Sequence, residues 1–164
     1  MSGIGSHQRS IGDTDEWLTP PAIIRSLGEF DLDPCSPVDR PWDTAKTHFT
    51  IMDNGLAMKW FGRVWLNPPY GQQTGIWLRK LAHHGNGIAL IFARTETRFF
   101  HNWVWDAADA VLFVRGRIRF LTVGGLAGGY TAGGPSALVA YGSNNVSALR
   151  SCCLTGKLVT WEDV

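Results

Sequence analysis

The chain has almost no surplus of charge: 15 Lys and Arg stand against 14 Asp and Glu, a formal net charge of +1. A protein that lives on phosphate contacts usually shows a plain basic excess, so any nucleic-acid contact here must rest on local patches. Cysteine is scarce too. Cys35 and the adjacent Cys152 and Cys153 make three, an odd number without metal-ligand spacing, which argues against a disulfide framework and a zinc site and suits a reducing cytoplasm. His83 and His84 are sequence neighbours, which point apart on a helix and so do not form a metal pair. No apolar run approaches membrane-spanning length, and residues 1–12 lack the apolar stretch of a secretory signal. The expectation is a soluble chain with a loose tail over 1–12 and one domain over 13–164. Missing as well are an internal repeat and the G-x-G-x-x-G turn of dinucleotide-binding folds.

What is present is enough apolar material for one core, 45% hydrophobic residues in a chain of 164. It falls into alternating strand and helix patterns. Thr19-Pro20-Pro21 opens a short helix carrying Ile23, Ile24 and Leu27 and closed by Gly28, with Thr19 fitting the N-cap and Pro20 the first turn. Phe30 to Asp33 reads as a strand, and His48 to Met52 as a brief second one closed by the turn formers Asp53-Asn54-Gly55. Gly62-Arg63 opens the central strand, whose apolar residues from Val64 run straight into the Asn67 turn, followed by an amphipathic helix over 75–84 with Trp77, Leu78, Leu81 and Ala82 on one side. Gly87 to Ala93 is continuously apolar, as in a strand covered on both faces. A helix over about 98–108 and strands over 110–114 and 136–141 follow, with Ile118 to Thr122 extending the first of these or starting another. The glycine-rich stretch 124–134 reads as a loop able to fold over a ligand, and 148–159 as short and mixed. Trp60 and Phe61 read as core and Trp17 as the tryptophan nearest solvent. Such alternation predicts an α/β fold with a mostly parallel sheet and helices on both faces.

The chemistry concentrates where the central strand runs into Asn67-Pro68-Pro69-Tyr70-Gly71. Open α/β sheets present their chemistry at the carboxyl ends of their strands. The Asn67 side-chain oxygen and the Pro68 carbonyl are two acceptors, and two prolines stiffen the backbone that carries them. Two converging acceptors suit an NH2 group, and Tyr70 offers a flat ring for a planar amine-bearing partner. The loop reads as an amino-methylation site. A structural use remains open, because Pro-Pro stops strands and Asn forms turns.

Other residues are weaker signals alone. Asp33, at the tip of its strand, suits the ammonium of a zwitterion such as S-adenosylmethionine, although Asp-Pro also makes ordinary turns. Arg94 and Arg98 bracket Thr95-Glu96-Thr97. Arg115, Arg117 and Arg119 alternate with Gly116, Ile118 and Phe120, which aligns three guanidinium groups on one strand face, as solvated strand charges also do.

Taken in order, Asp15-Glu16-Trp17 with Thr19-Pro20, Phe30-Asp31-Leu32-Asp33-Pro34-Cys35, Asp53-Asn54-Gly55-Leu56, Asn67-Pro68-Pro69-Tyr70-Gly71, Arg94 to His101 and Gly116 to Phe120 resemble the phage-type DNA N-6-adenine methyltransferase family over roughly residues 13–142. The resemblance implies a Rossmann-like methyltransferase fold, S-adenosylmethionine as donor without a metal, and adenine in DNA as acceptor. It further implies a bacterial cytoplasm as the setting and a phage or prophage as the source. By the same resemblance Asn67, Pro68, Pro69 and Tyr70 are catalytic, while Trp17, Thr19, Pro20, Asp33, Pro34, Cys35, Asp53, Leu56 and Asn67 face the cofactor. Arg94, Arg98, Arg117 and Arg119 are the candidates for DNA. The chain departs from the wider methyltransferase pattern in lacking a glycine-rich turn after its first strand and an evident ribose acid, for which Asp39 and Asp43 are the nearest residues. Two other classes compete: a protein glutamine-amide methyltransferase, since an amide NH2 fits the same acceptors, and a non-catalytic DNA-binding relative.

Overall fold

A computed structural model describes residues 17–122, 124 and 131–161. The expected tail, Asp15, Glu16 and most of the glycine-rich loop lie outside the described residues. Seven strands form one sheet: β1 (Leu32–Asp33), β2 (Thr47–His48), β3 (Val64–Leu66), β4 (Gly87–Phe92), β5 (Ala110–Val114), β6 (Ser136–Tyr141) and β7 (Gly156–Thr160), in spatial order β2-β1-β3-β4-β6-β5-β7. The helices are α1 (Pro21–Leu27), α2 (Thr74–His84), α3 (Arg98–Phe100), which runs on into a π-helical turn His101–Trp105, and α4 (Ser143–Ser151).

The sheet is less parallel than the alternation of elements suggests. The pairings β2–β1, β1–β3 and β3–β4 are parallel, but β4–β6, β6–β5 and β5–β7 are antiparallel and longer. The reason lies in β6, which inserts between β4 and β5 in the opposite sense. Strands β1 to β5 all run the same way, and β6 and β7 run against them.

Both faces are covered, and strand alternation sorts the side chains. Trp65, Ile88, Leu90, Leu138 and Ala140 meet Ile23, Ile24, Leu27 and Leu149 from α1 and α4. Val64, Leu66, Ala89, Ile91 and Val139 meet Trp77, Leu78, Leu81, Phe100 and Val104 from α2, α3 and the π turn.

Several local expectations change. Pro20, not Thr19, occupies the N-cap of α1 with a non-helical ψ of 135°, and no side chain caps the helix, because a proline ring carries no acceptor. Beyond His48 the second strand gives way to turns, where the Asp53 carboxylate accepts from the Thr50 amide and hydroxyl. Residues 118–122 form isolated bridges, Leu18 to Leu121 and Arg119 to Thr131, and no strand. The mixed C-terminal stretch resolves into α4 and β7. Trp60 is buried but Phe61 is exposed, and Trp17 packs half-buried against the core while Trp161 is exposed.

Candidate active site

The Asn67 loop leaves the middle of the sheet with β1 on one side of β3 and β4 on the other. It is held from three directions. The Thr74 hydroxyl, buried in the first turn of α2, donates to the Pro69 carbonyl at 2.8 Å, and Gly71 supplies a φ of 118° that a side chain would oppose. Proline rings restrict positions 68 and 69. The third tie is on Asn67 itself, whose Nδ2 donates to the Trp17 carbonyl at 3.1 Å. That bond decides the amide's orientation: with the nitrogen engaged, Oδ1 is the acceptor left for a ligand. Among the described residues its hydrogen-bond partner is the Tyr70 hydroxyl at 3.4 Å, a contact long enough to be weak and easily displaced. Among the described residues no hydrogen bond reaches the Pro68 carbonyl.

The first strand ends beside this loop. Leu32 lies opposite Val64, so Asp33 lies one strand away from Asn67 and about two residues back, roughly 8 Å between backbones by strand spacing and rise. Leu32 faces the α2 layer, so alternation turns Asp33 to the α1 layer, which Trp17 and Phe92 also join. Asp33 is buried, and its oxygens accept from the Cys35 amide at 3.0 Å and from the Thr44 hydroxyl. Burial pushes its carboxyl up to about 6, with the bonds from Thr44 and Cys35 pulling the other way. Burial, with help from Asp33, raises the Cys35 thiol to about 12, so this cysteine stays a neutral thiol. Thr19 is buried at 3% exposure, and among the described residues its hydroxyl has no partner. Its capping role is gone, and an orphaned buried hydroxyl costs about 1–3 kcal/mol unless something binds it.

A family model described as DNA N-6-adenine-methyltransferase (Dam) matches residues 6–141. The chain belongs to this family. No curated protein and no solved structure matches it.

In this Dam-family chain the structure brings Trp17, Asp33, Pro34 and Asn67 to one edge of the sheet, with Thr19 following Trp17 and Pro20 leading into α1. Asp53 and Leu56 belong to a turn packed on Pro34, but their side chains part company. The Asp53 carboxylate is exposed and its contacts with Thr50 hold it below the usual carboxylate range. Leu56 lines a groove of about 580 Å³ with Ile76, Arg79, Lys80, His83 and Trp103, on the outer side of α2. A second hollow of about 470 Å³ is lined by Val38, Asp39, Arg40, Pro41 and Asp43, next in sequence to the Thr44 that bonds Asp33. Of the two acids considered for a ribose, Asp43 is paired to Arg40 at 3.2 Å and Asp39 is exposed.

The Dam-family arginines are spread along the same edge. Arg94 and Arg98 are exposed, Arg94 on the turn that the Thr97 hydroxyl closes and Arg98 as the first residue of α3, which Thr97 caps. Arg117 and Arg119 are exposed between the buried Ile118 and Phe120, so the alternation is right although no strand forms; Arg117 also donates to the Ala132 carbonyl at 3.2 Å.

Two residues of the site escape a linear reading. Thr44 lies in a polar loop and matters because it donates to Asp33. Phe92 is the last residue of an apolar strand and looks like core, yet its ring stacks on Tyr70 at 4.1 Å between centroids and 13° between planes. The usable signal is position: Phe92 ends the strand next to β3, at the edge where Asn67 and Asp33 stand.

Proposed function

We propose that the protein moves a methyl group from S-adenosylmethionine to the exocyclic amine of adenine in DNA, on a Rossmann-like methyltransferase fold. The observation that carries this reading is the Asn67 to Trp17 bond, which leaves Asn67 Oδ1 as an acceptor at the tip of a central strand, with a proline carbonyl and a tyrosine ring beside it. The exocyclic amine of adenine is a poor nucleophile because its lone pair is spread into the ring. Accepting its two protons at Asn67 Oδ1 and the Pro68 carbonyl draws the nitrogen toward a tetrahedral form with a localised lone pair. Neither oxygen is basic enough to keep a proton, so the one released on alkylation passes to solvent. The work of these residues is positioning and electrostatics. In a duplex the amine is out of reach, so the base leaves the stack and lies on Tyr70, at a cost of a few kcal/mol that phosphate contacts offset.

The donor, when bound, supplies an electrophilic sulfonium methyl. The residues present fit it: Asp33 is a buried carboxylate that no lysine or arginine hydrogen-bonds among the described residues, with Arg40 acting on it only through its charge, and it suits an ammonium, while the buried Thr19 hydroxyl has no partner among the described residues. Pro34 and Cys35 extend this wall. The same reading makes DNA the partner and the cytoplasm of a bacterial host of the phage or prophage the place of action.

Incubation with unmethylated DNA and methyl-labelled donor, followed by nucleoside analysis, tests the proposal. Label is expected in N-6-methyladenine, with a loss of about 10²–10³ in rate for Asn67→Ala, the range for removing one transition-state contact, beside a stability cost of only about 1 kcal/mol for the lost bond to the Trp17 carbonyl. Label in protein would favour the glutamine-amide reading. DNA binding without any label would make the chain a non-catalytic relative.

A further inference from the structure

Tyr70 is not held by its own loop alone. We propose that Phe92 is a positioning residue: it occupies one face of the Tyr70 ring and fixes that ring, so that a target base enters on the opposite face only and forms a three-ring stack of base, Tyr70 and Phe92. The inference rests on the adenine reading for the identity of the base. The fixing of Tyr70 does not.

Phe92 is well placed to hold another ring. It ends β4 opposite Ser136 of β6, and its own ring packs half-buried against the apolar layer under α1 and α4. Gly134 runs alongside, so near that a Cβ there would touch the ring at 3.5 Å. The Phe92 ring is therefore wedged between core and loop. Tyr70, by contrast, stands on a loop, and its polar tie is the 3.4 Å contact to Asn67 Oδ1, the acceptor an incoming amine would claim. Once that contact is given up, the stack on Phe92 remains. An offset aromatic pair is strong enough to favour the stacked orientation by about twofold to tenfold. The face of Tyr70 turned to Phe92 is closed to a ligand at a centroid separation of 4.1 Å, too small to admit a third ring between the two.

The test separates holding from packing. Phe92→Leu keeps an apolar side chain in place but removes the ring, and Phe92→Tyr keeps the ring. With 3-fluorotyrosine incorporated, the fluorine spectrum of the free protein reports Tyr70 beside Tyr130 and Tyr141. A single ring-shifted Tyr70 signal is expected in the wild type. In Phe92→Leu it moves or broadens, and in Phe92→Tyr it returns together with one added resonance. On DNA with saturating donor, Phe92→Leu is expected to lower kcat about threefold to tenfold with KM for DNA nearly unchanged, and Phe92→Tyr to restore it. An unchanged Tyr70 signal in Phe92→Leu, full kcat in that variant, or equal loss in both variants overturns the proposal. A wild type that shows the held Tyr70 signal but leaves DNA unmethylated sinks the adenine reading and supports the ring pairing.

Discussion

The backbone of Gly55 lies against the carbonyl of Pro34, so close that a Cβ at position 55 would stand 1.9 Å from that oxygen. This contact fastens the turn after β2 onto the loop after β1. The turn is tied from behind as well: the Gly55 carbonyl accepts from the Trp60 indole at 2.8 Å, and Lys80 donates to the Leu56 carbonyl at 2.6 Å.

Gly55→Ala is therefore expected to push the turn away from Pro34. Overpacking of this kind costs about 1–3 kcal/mol, which lowers the melting temperature by several degrees in a chain of this size. Donor affinity should fall with it, because Pro34 follows Asp33 directly. Thermal melts and calorimetric titration with S-adenosylmethionine check both effects; a variant that melts and binds like the wild type would show that the contact relaxes freely.

Asp33 should trade stability for binding. Its carboxyl rises from 3.8 to about 6 on folding, chiefly by burial. The folded chain therefore holds a proton that the unfolded chain has released across that window, so the fold loses stability as pH rises from about 4 to about 6. Above it the cost is roughly 3 kcal/mol. Asp33→Asn keeps an acceptor for the Cys35 amide and removes the charge. It is expected to be more stable than wild type at pH 7, with the gain fading below about pH 4, and to lose donor affinity. The wild type should bind the donor more weakly as pH falls below about 6. Denaturant titrations at pH 4 and 7 would refute this by returning the same stability difference at both.

The arginines should separate by salt dependence. Arg94→Ala and Arg98→Ala are each expected to weaken DNA binding across sequences and to flatten the slope of log K against log salt by about 1. Arg117→Ala should do this and also cost about 1 kcal/mol of stability, because Arg117 donates to the Ala132 carbonyl. Arg119→Ala should affect binding alone. A salt slope that stays the same in all four variants would remove this edge from the DNA interface.

How far the fold could be read differs from element to element. Strands β4, β5 and β6 and helix α2 stand within about a residue of their reading, because long apolar runs or a helical stripe bounded by glycine leave few alternatives. Helix α4 was invisible for the opposite reason. Ser143-Asn144-Asn145 is a poor helix start by propensity, and what holds it is remote: Asn145 donates to the Tyr141 carbonyl at 2.7 Å and to Asn86 at 3.0 Å, and accepts from Arg63 at 2.6 Å. No local pattern reports such a network.

The sequence by itself determined the family, the Asn67 loop and the acidic tip at Asp33, because each is carried by adjacent residues whose chemistry is local. Only the tertiary structure decided the sheet's mixed sense, the Asn67 orientation set by Trp17, the orphaned Thr19 hydroxyl and the Phe92 stack on Tyr70. These depend on which segments meet across the sheet, and strand order and side-chain contact between distant residues leave no mark in the spacing of either one.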